Sequence, residues 1–224
     1  MIIDNMMNIE LLFNSTKLTG DSSFYKIAVS HADKTIQNHY LPDYTCYHVV
    51  DYGLADGSVR SRQTAQGFAN ESAWARGQAW GIYGFTVCYC ETRNPKYLLQ
   101  AQKAFDFVIH HKNFPSDFVT YWDFDAPNIP NEPRDASAAA IIASALYELS
   151  TFDDTKYYKS WDNTIMASLA SPAYRAKLGE NGNFLLMHSV GSIPHGAEIN
   201  VPLNYADDYF LEALSRKSKI ESGK

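Results

Sequence analysis

Seven stretches of helical periodicity alternate in kind along this chain, and that alternation limits its fold more than any single motif. Apolar helices rich in small residues begin near residues 4, 72, 135 and 205, at intervals of roughly 60 to 70 residues. The spacing predicts helices over 4–13, 21–40, 70–93, 95–111, 135–152, 153–171 and 205–216. Each of the first three apolar helices is followed by a short turn and a more charged, amphipathic partner. After each partner comes a long segment rich in aromatics and in Pro, Gly or Asn: 41–70, 112–134 and 172–204. A helix apolar on all sides is buried, whereas one with a polar face lies at the periphery. The pattern therefore describes inner and outer rings of an α/α toroid, all-α, with its long loops gathered at one mouth. An open α-solenoid for protein binding is the alternative. Such repeats are shorter, about 30 to 47 residues, with short connections. Loops this long in a compact domain usually carry function.

The expected organisation is a single domain over residues 1–224. With four inner and three outer helices, it is an incomplete ring that lacks its N-terminal part. An open ring of this kind is expected to expose apolar surface on its inner helices.

Composition removes other classes. The formal charge is −6, without the basic footprint that nucleic acid requires. No apolar run approaches the roughly 18 residues of a membrane span, so neither nucleic acid nor membrane is an expected partner. Cys46, Cys88 and Cys90 form an odd set, and the last two diverge on a helix. Neither a disulfide framework nor metal spacing follows.

In a toroid, chemistry belongs to polar residues at the loop-bearing ends of inner helices. Asp4 opens the first one and shares a face with Asn8, four residues on. An acid favoured by the helix dipole is the plainer reading. His48 lies on the first long loop (CYHVVD), where a lone His is ordinarily structural. Gln66 leads into WARGQAW, which places Arg76 between Trp74 and Trp80. Arg suits bidentate carboxylate recognition, and Trp offers a stacking platform. An ordinary ion pair of Arg76 with Glu71 or Asp51 competes with that reading. YWDFDAP, with Asp123 and Asp125, and Asp135 stand at further helix mouths, where Asp135 is also a natural cap.

At these residues the chain resembles glycoside hydrolase family 88, the unsaturated glucuronyl hydrolases. IIDNMMN, WARGQAWGIYGF, YWDFDAP, DASAAA and PLNYADDYFLEAL follow that family's order from Ile2 to about Leu214. The related unsaturated rhamnogalacturonyl hydrolases (family 105) carry a similar WARG element and supply the runner-up. A non-catalytic helical binding module is the third reading. The resemblance implies an (α/α)6 toroid and a glycoside hydrolase that needs neither cofactor nor metal. Its substrate is the 4,5-unsaturated uronic acid left at a non-reducing end by glycosaminoglycan lyases. Asp4 is implied as general acid and base, and His48, Gln66, Arg76 and Trp80 as the lining of the sugar subsite. A second acidic residue is implied to precede this chain. The loop containing Ser189 and Ser192 is implied to select the neighbouring sugar; it holds His195 but neither Lys nor Arg, so strong sulfate selectivity is not expected. Oligomeric state is left open, as is location between the cytoplasm and periplasm of a bacterium.

Overall fold

The structure is a computed structural model that describes residues 1–152 and 155–223. Its helices are α1 (Asn5–Thr19), α2 (Ser22–His39), α3 (Ala75–Thr92), α4 (Pro95–His110), α5 (Ala136–Leu149), α6 (Tyr157–Leu169) and α7 (Asn204–Ser222). The expected opening of the sixth helix at Asp153 lies outside the described residues. The third helix starts later than the periodicity implied, at Ala75, because residues 70–74 form turns and an extended link. The first and last run further, since Gly20 and Gly223 end them in the left-handed conformation that glycine adopts without strain.

Local chemistry accounts for several boundaries. Asp21 accepts from the Ser23 amide at the start of α2, at 2.8 Å. Asn94 does the same for α4 at 3.2 Å, with Pro95 in the first turn.

The helices pack as hairpins along an arc. Inner helices stand side by side, α1 on α3, α3 on α5 and α5 on α7, while α2, α4 and α6 each cover their own inner partner. Residues 75–88 of α3 are all buried, as is every residue of α5 except Glu148. The α/α toroidal arrangement is therefore the one read from the repeat. Close approach of α1 to α3 depends on Gly84, where a Cβ would lie 2.5 Å from Met6 Cβ and 2.6 Å from its carbonyl oxygen. Apolar side chains do stand exposed on the terminal inner helices: Leu11 and Leu18 on α1, Leu211 and Leu214 on α7.

The fold is mainly helical, as expected, and short strands occur in its long loops. Two of the long loops fold into antiparallel hairpins, β1 (Val49–Tyr52) with β2 (Val59–Gln63), and β3 (Ser189–Ser192) with β4 (Ala197–Val201). Their strands are only four or five residues long, and of the four only β4 (AEINV) alternates apolar and polar residues throughout. Residues 1–3 join the first hairpin: Ile3 N donates to His48 O, and Val50 N to Met1 O, both at 2.9 Å. That pairing seats Asp4, at the start of α1, beside His48. No helix among the described residues is long and apolar enough to cross a membrane.

Candidate active site

The N-terminal ends of all four inner helices meet at one mouth. Asp4 precedes α1, Arg76 lies in the first turn of α3, Asp135 precedes α5 and Tyr205 lies in the first turn of α7. The Arg76 guanidinium carbon is 5.5 Å from the Tyr205 ring centre, and Trp80 is 6.5 Å from the same ring. Converging helix N-termini present partial positive charge, which suits an anionic group.

Asp4 stands at the cap position of α1 but makes no side-chain capping bond. Its carboxyl serves neither of the plainer purposes, cap or exposed dipole partner. Its side chain is 23% exposed, yet Oδ2 is buried without a hydrogen-bond partner among the described residues. His48 Nε2 stands 3.6 Å from that oxygen. Burial holds the Asp4 pKa above the ordinary 3.8, opposed by its own backbone N–H, the Arg76 charge and the nearby Trp80 indole. The Trp80 N–H is itself buried and closes no hydrogen bond of ordinary geometry. Around Asp4 the polar neighbours are thus chiefly donors.

His48 stacks on Trp74 with ring centres 4.4 Å apart. Its Nδ1 accepts from the backbone N–H of Ala65 at 3.1 Å and of Gln66 at 3.2 Å. Burial, with Arg76 and His39 nearby, lowers its pKa to about 4, so the ring is neutral at pH 7.

Arg76 is 3% exposed, and its ion-pair partner is neither Glu71 nor Asp51. Asp51 faces Arg60 at 3.6 Å. Arg76 Nη1 instead donates to Asp135 Oδ2 at 2.9 Å and to the carbonyl of Val190. Nη2 donates to Gly191 O at 2.7 Å and to Gln66 Oε1 at 3.1 Å. Asp135 meanwhile caps α5 through Ser137 N at 3.1 Å. One buried pair therefore ties α3, α5, β3 and the Gln66 loop together. The guanidinium expected to offer charge to a substrate is occupied by the protein through both terminal nitrogens.

The chain as a whole is similar to known proteins. No protein-family model matches the chain. It is 50% identical over 219 residues to the unsaturated glucuronyl hydrolase of Formosa agariphila, covering 98% of this chain and 55% of that protein. The unsaturated chondroitin disaccharide hydrolase of Streptococcus agalactiae is 31% identical, with 96% and 55% covered. A solved unsaturated glucuronyl hydrolase specific for heparin superposes with a TM-score of 0.97 at 46% identity, over 99% of this chain and 60% of that one. Over nearly its whole length the chain is similar to unsaturated glucuronyl hydrolases. It spans about half the length of the curated relatives it matches.

The remaining candidate residues are placed as follows. Gln66 is half-buried between Arg76 and His48. Trp80 packs edge-on against Tyr209 at 5.3 Å. Ser189 is fully buried with its Oγ unpartnered, while Ser192 Oγ lies 2.7 Å from His195 Nδ1. Asp123 is not at the mouth's surface. It is fully buried and accepts from Phe68 N at 2.8 Å, Ser72 Oγ at 2.6 Å and Asp125 N at 2.9 Å, anchoring the loop that carries Gln66. A surface depression of about 570 Å³ is lined by residues of the 172–185 loop, none of them a candidate site residue. Sequence reasoning missed Tyr205, although its aromatic ring opens an inner helix at the position where Arg76 opens another. Among the described residues no group of three or more His, Cys, Asp or Glu side chains is arranged to hold a metal ion.

Proposed function

We propose that this chain carries the proton-transfer centre of an unsaturated glucuronyl hydrolase, with Asp4 as its acid and base. The observation that carries the reading is the Asp4 carboxyl itself. It is largely buried, raised in pKa despite the nearby Arg76 charge, and bordered by N–H groups, with Arg76 paired to Asp135. A carboxyl in that setting keeps its proton more readily than one in water, as a general acid must.

The substrate is a 4,5-unsaturated uronic acid at the non-reducing end of a lyase-generated glycosaminoglycan oligosaccharide. Relatives include the heparin-specific enzyme and an S. agalactiae variant solved with dGlcA-GalNAc6S. The C4=C5 bond is a vinyl ether. Asp4 protonates C4, positive charge spreads over C5 and the ring oxygen, and water adds at C5 as it returns a proton to Asp4. The hemiketal then opens and releases the neighbouring sugar. One carboxyl group serves both steps, so the paired-carboxylate geometry of ordinary glycosidases does not govern the outcome.

Four inner-helix N-termini favour the uronate carboxylate at this mouth. Trp80 and Gln66 line the sugar subsite, and Ser189 and Ser192 border the neighbouring sugar. Arg76 contributes by holding Gln66 and β3. Nothing in 189–196 supplies a Lys or Arg for sulfate. The test follows the ultraviolet absorbance of the double bond in unsaturated chondroitin, heparin and rhamnogalacturonan disaccharides. Loss of absorbance with the first two supports the reading. Loss with the rhamnogalacturonan product alone, or with none, overturns it.

A further inference from the structure

His48 is held at both edges of its ring, and the two contacts differ in kind. Backbone amides can only donate hydrogen bonds, and two of them, Ala65 N and Gln66 N, point at Nδ1. That nitrogen must therefore offer a lone pair. A neutral imidazole has one N–H, which is left for Nε2. Nε2 faces Asp4 Oδ2 at 3.6 Å, and this oxygen is buried with no hydrogen-bond partner among the described residues. Because Oδ2 is sealed while the side chain keeps part of its surface open, the open edge of the carboxyl is the one bearing Oδ1.

We propose that the Ala65 and Gln66 amides lock His48 in the Nε2–H tautomer, making it a fixed donor to Asp4 Oδ2, so that the transferable proton of Asp4 sits on Oδ1. The placement of the proton rests on reading Asp4 as the proton donor; the tautomer does not. The contact is slightly longer than a hydrogen bond, and catalytic contacts of this kind commonly tighten when substrate binds.

The consequence is a division of labour. His48 has no free lone pair, since Nδ1 is occupied and Nε2 carries hydrogen, so it is a positioning residue and not a base. The proton that leaves Oδ1 for C4 is replaced by one from the water that adds at C5. The His48 N–H remains where it is throughout, so charge and protons balance on Asp4 alone. Protonating His48 would put a third hydrogen among two amide hydrogens at Nδ1. Burial and the nearby Arg76 and His39 oppose that further.

The test is made on the substrate-free chain. Nitrogen-15 NMR of the histidine side chains assigns each ring nitrogen as hydrogen-bearing or not. The expected result is an unprotonated Nδ1 and a protonated Nε2 on His48, unchanged from pH 5 to pH 8. A hydrogen on Nδ1, or a titration at the ordinary histidine value, overturns the lock. A carbon-13 titration of the Asp4 carboxyl then tests the donor role. His48→Asn keeps an acceptor near the Nδ1 position but removes the donor, whereas His48→Gln returns an amide N–H near Nε2. Asp4 should bind its proton about tenfold more tightly in His48→Asn and recover in His48→Gln. Equal Asp4 midpoints in wild type and both variants overturn the donor role. Failure to hydrolyse any unsaturated uronide would remove the catalytic reading of Asp4 and leave both NMR results standing on their own.

Discussion

Asp162, on α6 and far from the proposed chemistry in sequence, offers a quantitative check on how burial governs charge in this fold. It is fully buried, and among the described residues neither carboxyl oxygen has a hydrogen-bond partner. Burial raises its pKa from 3.8 to about 7, against the opposing pull of the Asn163 N–H, Lys159 and Lys217. In the unfolded chain the group ionises at its ordinary pKa, so between 3.8 and about 7 the folded state binds the extra proton. Stability is therefore highest below the unfolded value and declines as pH rises through this window, levelling off above it. The full difference is on the order of 4 kcal/mol, of which roughly 2–3 kcal/mol falls between pH 5 and pH 8. Asp162→Asn removes the ionisation while keeping the shape. Its stability relative to wild type should therefore rise by roughly 2–3 kcal/mol from pH 5 to pH 8, whatever its offset at pH 5. Urea unfolding followed by far-ultraviolet circular dichroism at four pH values measures this. A difference that stays constant with pH would refute the reasoning, because it would mean that Asp162 carries the same charge folded and unfolded.

Three further outcomes follow from the site and the ring. Arg76→Met leaves Asp135 as an uncompensated buried charge and should cost roughly 3–5 kcal/mol by urea unfolding, partly recovered when Asp135→Asn is added. Gly84→Ala drives a methyl into Met6 at 2.5 Å and should lower stability by about 1–3 kcal/mol, read as a fall in the thermal midpoint. Asp4→Asn should lower kcat on unsaturated disaccharides by roughly 10²–10⁴ with little change in KM. In the wild type the rate should fall as pH climbs through the Asp4 pKa, which lies above 3.8, because the acid is then ionised; a rate that rises with pH there contradicts its role as acid.

The helices were legible because their information is local. In α3, Arg76, Trp80 and Tyr83 recur at helical spacing on one face, while Gly77 and Gly84 mark the face that meets Ile3 and Met6 of the α1 region. The composition of α5, nearly all Ala, Ile, Leu and Ser, announces a helix buried on every side. The hairpins were not legible for a matching reason. In β2, VRSRQ has four exposed residues out of five, so burial imprints almost no alternation on it. Pairing in β1 is set by residues 1–3 and by a hairpin partner, which no short window contains.

At the site, residue types were readable and partnerships were not. An Arg at the start of a buried helix requires a counter-charge, but the choice among Glu71, Asp51 and Asp135 is made by packing. Asp135 is 59 residues away and prevails because the α3 and α5 N-termini are neighbours on the ring. The same ring geometry gives that pair a further effect. It pairs the guanidinium beside Asp4 with Asp135, so the strongest local cation does less to draw the Asp4 proton away. Had Arg76 faced Asp4 unpaired, its charge would have favoured the carboxylate and worked against an acid. At Asp4 burial outweighs the opposing backbone N–H, the Arg76 charge and the Trp80 indole, so the carboxyl keeps its raised pKa beside that buried pair.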